Sequence, residues 1–273
     1  CISRREFLLK GSIASAGLLL SGSVARSAPF LFGKVPNSKF FGVQVGVITY
    51  SYRSMPHDIH QLLQYIVDSG ISAVELMGES VEDYAGKPAD KNQVAEWRAT
   101  VAMDKFKEVR KMFKKAGISI YAFKPSALGM NNTDAEIEYA LRAAKALGAN
   151  SVTVELPKDP AHSKRLGQLA SKHKVYIGYH AHTQATDTAW DEALSQSPYN
   201  SMNLDCGHYI AAGGRNTPGG EGDTPLREIL TVGKKKKYNI PASIELEYEI
   251  PAGSDAVKET RKCLEYAKQV LGA

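Results

Sequence analysis

A regular beat constrains the fold of this chain most. From residue 43 onward, short β-rich runs alternate with stretches of helical spacing. "VQVGVITYSY" (43–52) reads as a strand, and "DIHQLLQYIVDSG" (58–70) as a helix stopped by glycine. "AVELM" (73–77) is a strand, "MDKFKEVRKMFKKAG" (103–117) a helix and "SIYAFKP" (119–125) a strand. "DAEIEYALRAAKALG" (134–148) is a helix with an acidic start and a glycine stop. Further strands are predicted at 151–157, 175–182, 201–207 and 242–248, with helices at 161–173, 187–196, 224–238 and 254–271. Short β runs separated by helices of about ten or more residues imply parallel βα units, because parallel strands need a long crossover.

The count stops at seven strands. A (β/α)8 TIM barrel needs helix, strand and helix between Tyr209 and Ala242, where the chain has room for one helix and a loop. The expected fold is therefore a TIM barrel from which the helix 6–strand 7 unit is missing, with the break between Gly214 and Arg215. Either the protein lacks that unit or residues have been omitted there. A missing strand leaves two neighbours with a row of unpaired backbone groups. The longest irregular connection, 78–102, is a candidate lid.

Composition fits one large soluble domain: 273 residues, 43% hydrophobic and 23% charged. The formal charge of +5 is skewed by the start of the chain. There Arg4, Arg5, Lys10 and Arg26 stand against Glu6, which leaves +2 for everything after residue 27. That is no footprint for nucleic acid. The run of lysines at 234–237 reads as a solvated helix end favoured by the macrodipole. Residues 1–28 pair a twin arginine with a short apolar stretch and small residues, which resembles a twin-arginine export signal and predicts a periplasmic or exported protein. The barrel domain is expected over 42–273, with no membrane contact after signal removal. Cys1, Cys206 and Cys263 form no CxxC pair, so neither a disulfide framework nor a thiolate zinc site is expected.

Parallel barrels place active sites at the carboxyl ends of their strands, and strand parity shows what those ends carry. Thr153 and Glu155 share a face, as do Gly178, His180 and His182, then Asn203 and Asp205, then Ser243, Glu245 and Glu247. Lys124 and Glu75 end two more strands. Converging glutamate, histidine and aspartate side chains would repel one another unless a cation or protons compensate them. His180, Asp205, Glu245 and Glu155 are the candidate ligands of one divalent ion: Mn, Co, Zn or Mg. Glu75 also reads as a structural partner of Lys124 or of a backbone group. His182 also reads as a loop histidine bonded to backbone, and Glu247 as a group that holds the ligands in place.

These residues bring a resemblance. "IGYHAH" (177–182), "LDCGHY" (204–209) and "SIELEY" (243–248) are similar to motifs of the xylose isomerase-like TIM barrels, known broadly as sugar phosphate isomerases/epimerases. The likeness spans roughly 42–272. In tagatose-type epimerases and inosose dehydratases of that group, a divalent metal is held by Glu, Asp, His and Glu on strands five to eight. The resemblance implies that Asp205 and Glu245 are the strand-six and strand-eight ligands, and that His208 is the histidine that meets the sugar. Two departures stand out. His180 occupies the place of the strand-five Glu, so the epimerase pair of glutamates is incomplete. The strand-seven segment, usually of the form "HLKD", is absent, and Arg215 looks like the residue just beyond it.

Such a site supports proton abstraction next to a carbonyl, through an enediolate whose charge a cation holds. Glu245, Glu155 and His208 are the candidate catalytic groups, and Lys124, His182 and His208 the candidate substrate-binding ones. The expected activity is a metal-dependent isomerase or epimerase on a free sugar or keto-sugar. A keto-sugar lyase or dehydratase is the alternative, because the same enediolate can expel a β-substituent. A non-catalytic sugar-binding barrel is the rival from another class. The expected partner is a small sugar and no nucleic acid; a homo-oligomer is left open.

Overall fold

The computed structural model describes residues 35–56, 58–182, 185–210 and 224–273. These fall in one compact unit, Phe32–Ala273. The expected export segment, 1–28, and the Gly214–Arg215 junction lie outside the described residues.

Seven parallel strands follow the beat of the sequence. They are β1 (Val43–Ile48), β2 (Ala73–Met77), β3 (Ser119–Lys124), β4 (Ser151–Glu155), β5 (Tyr176–His180), β6 (Asn200–Asn203) and β7 (Pro241–Ile244). A two-residue strand, Lys39–Phe40, adds antiparallel to β1. Each strand from β1 to β5 pairs with the next, and β7 pairs with β1. Among the described residues no ladder joins β6 to β7. The fold is thus a parallel α/β barrel wall, with the expected eighth strand not among the described residues.

Ten α-helices connect and cover these strands among the described residues: α1 (Ile59–Asp68), α2 (Gly78–Tyr84), α3 (Val94–Thr100), α4 (Asp104–Lys115), α5 (Asp134–Leu147), α6 (Pro160–His173), α7 (Asp191–Gln196), α8 (Cys206–Ile210), α9 (Leu226–Lys236) and α10 (Ala256–Leu271). Their ends are set locally. Thr133 and Glu136 form a capping box at the start of α5, and Gly148 ends that helix in the left-handed region, at φ +85°. Asp58, Asp159 and Asp255 cap α1, α6 and α10. The lysine run fills the last turn of α9, as its charge pattern predicts. No helix among the described residues is long and apolar enough to cross a membrane.

The core lies between the sheet and the helices. Val47, Val74, Phe123, Val152 and Ile177, one from each of β1–β5, are sealed from solvent. The barrel interior holds a smaller polar layer. Tyr121 donates to Ser243 Oγ at 2.8 Å, and Thr153 donates to Glu75 Oε1 at 2.6 Å. A methyl group at Gly46 would stand 2.7 Å from the Tyr121 ring, so glycine there makes room for it.

Three sequence expectations shift. The first strand ends at Ile48, and Thr49–Tyr52 form a 3-10 turn. Residues 206–207, read as the end of a strand, begin α8. The 78–102 connection is no lid: α2 and α3 are bolted down by Arg98, which is buried. Its Nε and Nη2 donate to the two Glu82 oxygens at 3.1 and 3.2 Å, Nη1 reaches Glu136 at 3.4 Å, and Tyr139 donates to Glu82 at 3.1 Å. Opening the segment would pull Arg98 and Glu82 away from Glu136 and Tyr139 of α5.

Candidate metal centre at the barrel mouth

Four strand ends deliver the candidate ligands. His180 is the last residue of β5 and is buried. Ala181, fully buried, pins the backbone behind it and returns His182 to the same side. Register sets Glu155 of β4 beside His180. Beyond β6, Asp205 Oδ1 accepts the backbone N–H of His208 at 2.8 Å, so the aspartate caps α8 and swings the histidine back toward the mouth. Beyond β7 the chain is held from far away. Leu246 N–H donates to Ser51 Oγ at 3.0 Å, and its carbonyl accepts from Arg53 Nη1 at 2.5 Å. With Leu246 buried, Glu245 and Glu247 are left on the other side.

Donor atoms of His180, His182 and His208 all lie within 4.8 Å of one another, as do those of Asp205, His208 and Glu247. His208 belongs to both groups. The rings of His182 lie 4.6 Å from those of both His180 and His208, steeply tilted in each case. Of the four expected ligands, His180 and Asp205 fall in these groups. Glu245 and Glu155 lie outside them. The two Glu155 oxygens turn to Lys124 Nζ at 3.5 Å and His182 Nδ1 at 3.0 Å. His182 and Glu247, read from sequence as a substrate contact and a supporting group, stand among the donors. Strand parity had placed both on the right face. Glu75 sits below the mouth in the barrel interior, with Thr153 and Asn203 as its partners.

Electrostatics favours a cation here. Burial holds the His180 imidazole below its ordinary value, against the opposing pull of the Glu155 and Asp205 charges, and so keeps it neutral and able to ligate. Burial, then the neighbouring Glu247 charge, pushes the Glu245 carboxyl up to about 7. The clearest sign is at His208. Its Nε2 is shut off from solvent, 3.1 Å from Glu247 Oε2 and 4.0 Å from Asp205 Oδ2. Even so, it makes no hydrogen bond of proper geometry. The short separation suggests an ion pair and the geometry denies one. A donated N–H must point at its acceptor, and His208 Nε2 does not meet that condition. A buried nitrogen left without a hydrogen bond beside two carboxylates calls for a further partner. The residues fit a divalent ion, and a mixed imidazole and carboxylate set suits borderline metals.

No family model matches the sequence, and no curated protein matches it. Solved structures match its shape. A xylose isomerase domain protein from Alicyclobacillus acidocaldarius superposes with a TM-score of 0.59 at 14% identity, over 85% of this chain and 100% of that one. The chain shares the parallel α/β barrel fold of that protein. The IOLI protein, crystallised with a zinc atom, gives 0.60 at 16% identity over 84% and 98%. A D-psicose 3-epimerase with D-tagatose, from Clostridium cellulolyticum H10, gives 0.60 at 12% identity over 85% and 100%.

Proposed function

We propose that this protein is a metal-dependent isomerase or epimerase of free sugars or keto-sugars, moving a proton next to a carbonyl. The observation that carries the reading is His208 Nε2, buried, without a hydrogen bond and facing the Glu247 and Asp205 carboxylates. His180, His182, His208, Asp205 and Glu247 are the proposed ligands. A divalent ion bound there would supply stabilisation of negative charge on the substrate's carbonyl oxygen. Likeness of shape to a zinc-bearing barrel and to a ketose epimerase supports the reading. Glu245, half-buried and outside both donor groups, is left to take the proton. Lys124 stands at the mouth to orient substrate hydroxyls. A twin-arginine export signal at residues 1–28 would deliver the enzyme to the periplasm and favour unphosphorylated substrates.

One observation favours lyase chemistry as the second reading. Epimerisation needs an acid and a base on opposite faces of the sugar, and the other candidate base, Glu155, is engaged by Lys124 and His182. Elimination needs only the one base. Both readings are tested by incubating the full chain, loaded with Mn²⁺, Co²⁺ or Zn²⁺, with D-fructose or D-tagatose in D2O. Metal-dependent loss of the proton signal beside the carbonyl is expected. An epimerised ketose supports the first reading and an unsaturated product the second. A metal-loaded protein that exchanges no proton in either sugar would point to a binding barrel instead.

A further inference from the structure

His182 has a problem that its packing does not solve. Its side chain is 45% exposed, so burial alone does not fix its ring. Yet a neutral imidazole ligates through one nitrogen only if the proton sits on the other. We propose that Glu155 is a positioning residue that fixes the His182 tautomer, and that Lys124 in turn holds Glu155. The inference rests on the metal reading above and deepens it.

The geometry runs in one direction. Lys124 closes β3, Glu155 closes β4, and His182 follows β5, so three adjacent strand ends carry the three side chains in order. Glu155 Oε1 faces Lys124 Nζ at 3.5 Å, and Oε2 faces His182 Nδ1 at 3.0 Å. A carboxylate has no proton to give, so Nδ1 must be the donor. The nitrogen left for a cation is then Nε2, and the His182 ring stands against those of His180 and His208, the other members of its donor group. Without Glu155, the Nε2–H tautomer and a turned ring become available, and neither can ligate through Nε2. The partly exposed Lys124–Glu155 contact, at 3.5 Å, is worth little in stability. What it contributes is aim: it keeps the carboxylate on the histidine.

The test uses the full chain with ¹⁵N-labelled histidine and, separately, with Co²⁺ as the probe ion. In the metal-free protein at mildly alkaline pH, two-bond ¹H–¹⁵N correlations should show His182 protonated at Nδ1. Glu155→Ala should give a mixed or reversed tautomer, and Glu155→Gln, which keeps an acceptor oxygen, should restore it. Co²⁺ affinity should fall about 10–100-fold in Glu155→Ala, as is usual for a carboxylate behind a ligating histidine. It should stay within about threefold of wild type in Glu155→Gln, and the visible Co²⁺ band should move only in the alanine variant. An unchanged tautomer with unchanged affinity in Glu155→Ala overturns the proposal. So does an equal loss in both variants, which would make Glu155 a direct ligand. The metal reading fails on different data: His180→Ala and His208→Ala binding Co²⁺ as wild type does. The tautomer of His182 is decided without any metal.

Discussion

The two sides of the barrel differ in how they are made. From β1 to β5, every strand has a neighbour on each side and contributes at least one residue with no solvent exposure. At β6, β7 and α9 the wall thins. Met202 is 44% exposed, Leu204 45%, Val232 48%, Tyr238 50% and Ile240 65%, and Leu230 is the sole buried residue of α9. The difference lies less in composition than in closure. A strand is buried when helices cover it and strands flank it, and β6 and β7 each have one strand partner among the described residues. The candidate site straddles this divide. Glu155, His180 and His182 come from the packed side, while Asp205, His208, Glu245 and Glu247 come from the thin one. The same polar chemistry is thus mounted on two scaffolds that differ in burial, and the pieces on the thin side are held by a cap and long-range hydrogen bonds.

The sharpest way to break this contrast is in the core of the packed side. Phe123→Ala should cost about 3–5 kcal/mol in a denaturant melt, since the ring is fully buried. A loss under about 1 kcal/mol would mean that the packed wall is no more tightly built than the other. Next comes the residue that both donor groups share. His208→Ala should weaken Co²⁺ binding by more than the 10–100-fold typical of a residue behind a ligand, with proton exchange in D-fructose lost to match. Binding that survives intact would show that the thin side contributes nothing to the centre.

A third measurement uses pH on the polar layer between the walls. Burial raises the Glu75 carboxyl above its usual range, against the lowering effects of Thr153, Lys124 and Asn203. Its folded value lies above its unfolded one, so its contribution is complete below the unfolded pKa and is lost as pH rises through the folded one. Wild type should therefore lose stability relative to Glu75→Gln as pH is raised from about 4 toward about 8, starting near the ordinary carboxylate range. A constant difference across that window contradicts the burial argument. The smallest effect belongs to the thin wall. Val232→Ala should shift stability by no more than about 0.5 kcal/mol, and a core-sized loss would show that this valine is covered in solution.

Much of this was legible in the sequence. The alternation of β-rich and helical spacing implied a parallel α/β barrel, because parallel strands require crossovers, and the seven strands lie close to where periodicity put them. Parity alone placed His180, His182, Asp205, Glu245 and Glu247 on the face that opens to the mouth. What parity cannot supply is reach. Whether Glu245 or Glu247 meets His208 depends on how Ser51 and Arg53, almost two hundred positions away, grip Leu246. Whether Glu155 is a ligand or a brace depends on Lys124 and His182 arriving beside it from neighbouring strands. The clamp of Arg98 on Glu82 and Glu136 joins residues 16 and 38 positions apart, with no periodic trace. Periodicity reports which way a side chain faces, a local property of φ and ψ. Distances between strand ends are fixed only when the sheet curls and its hydrogen bonds set the register, so the partners of each charged group are a property of the tertiary fold.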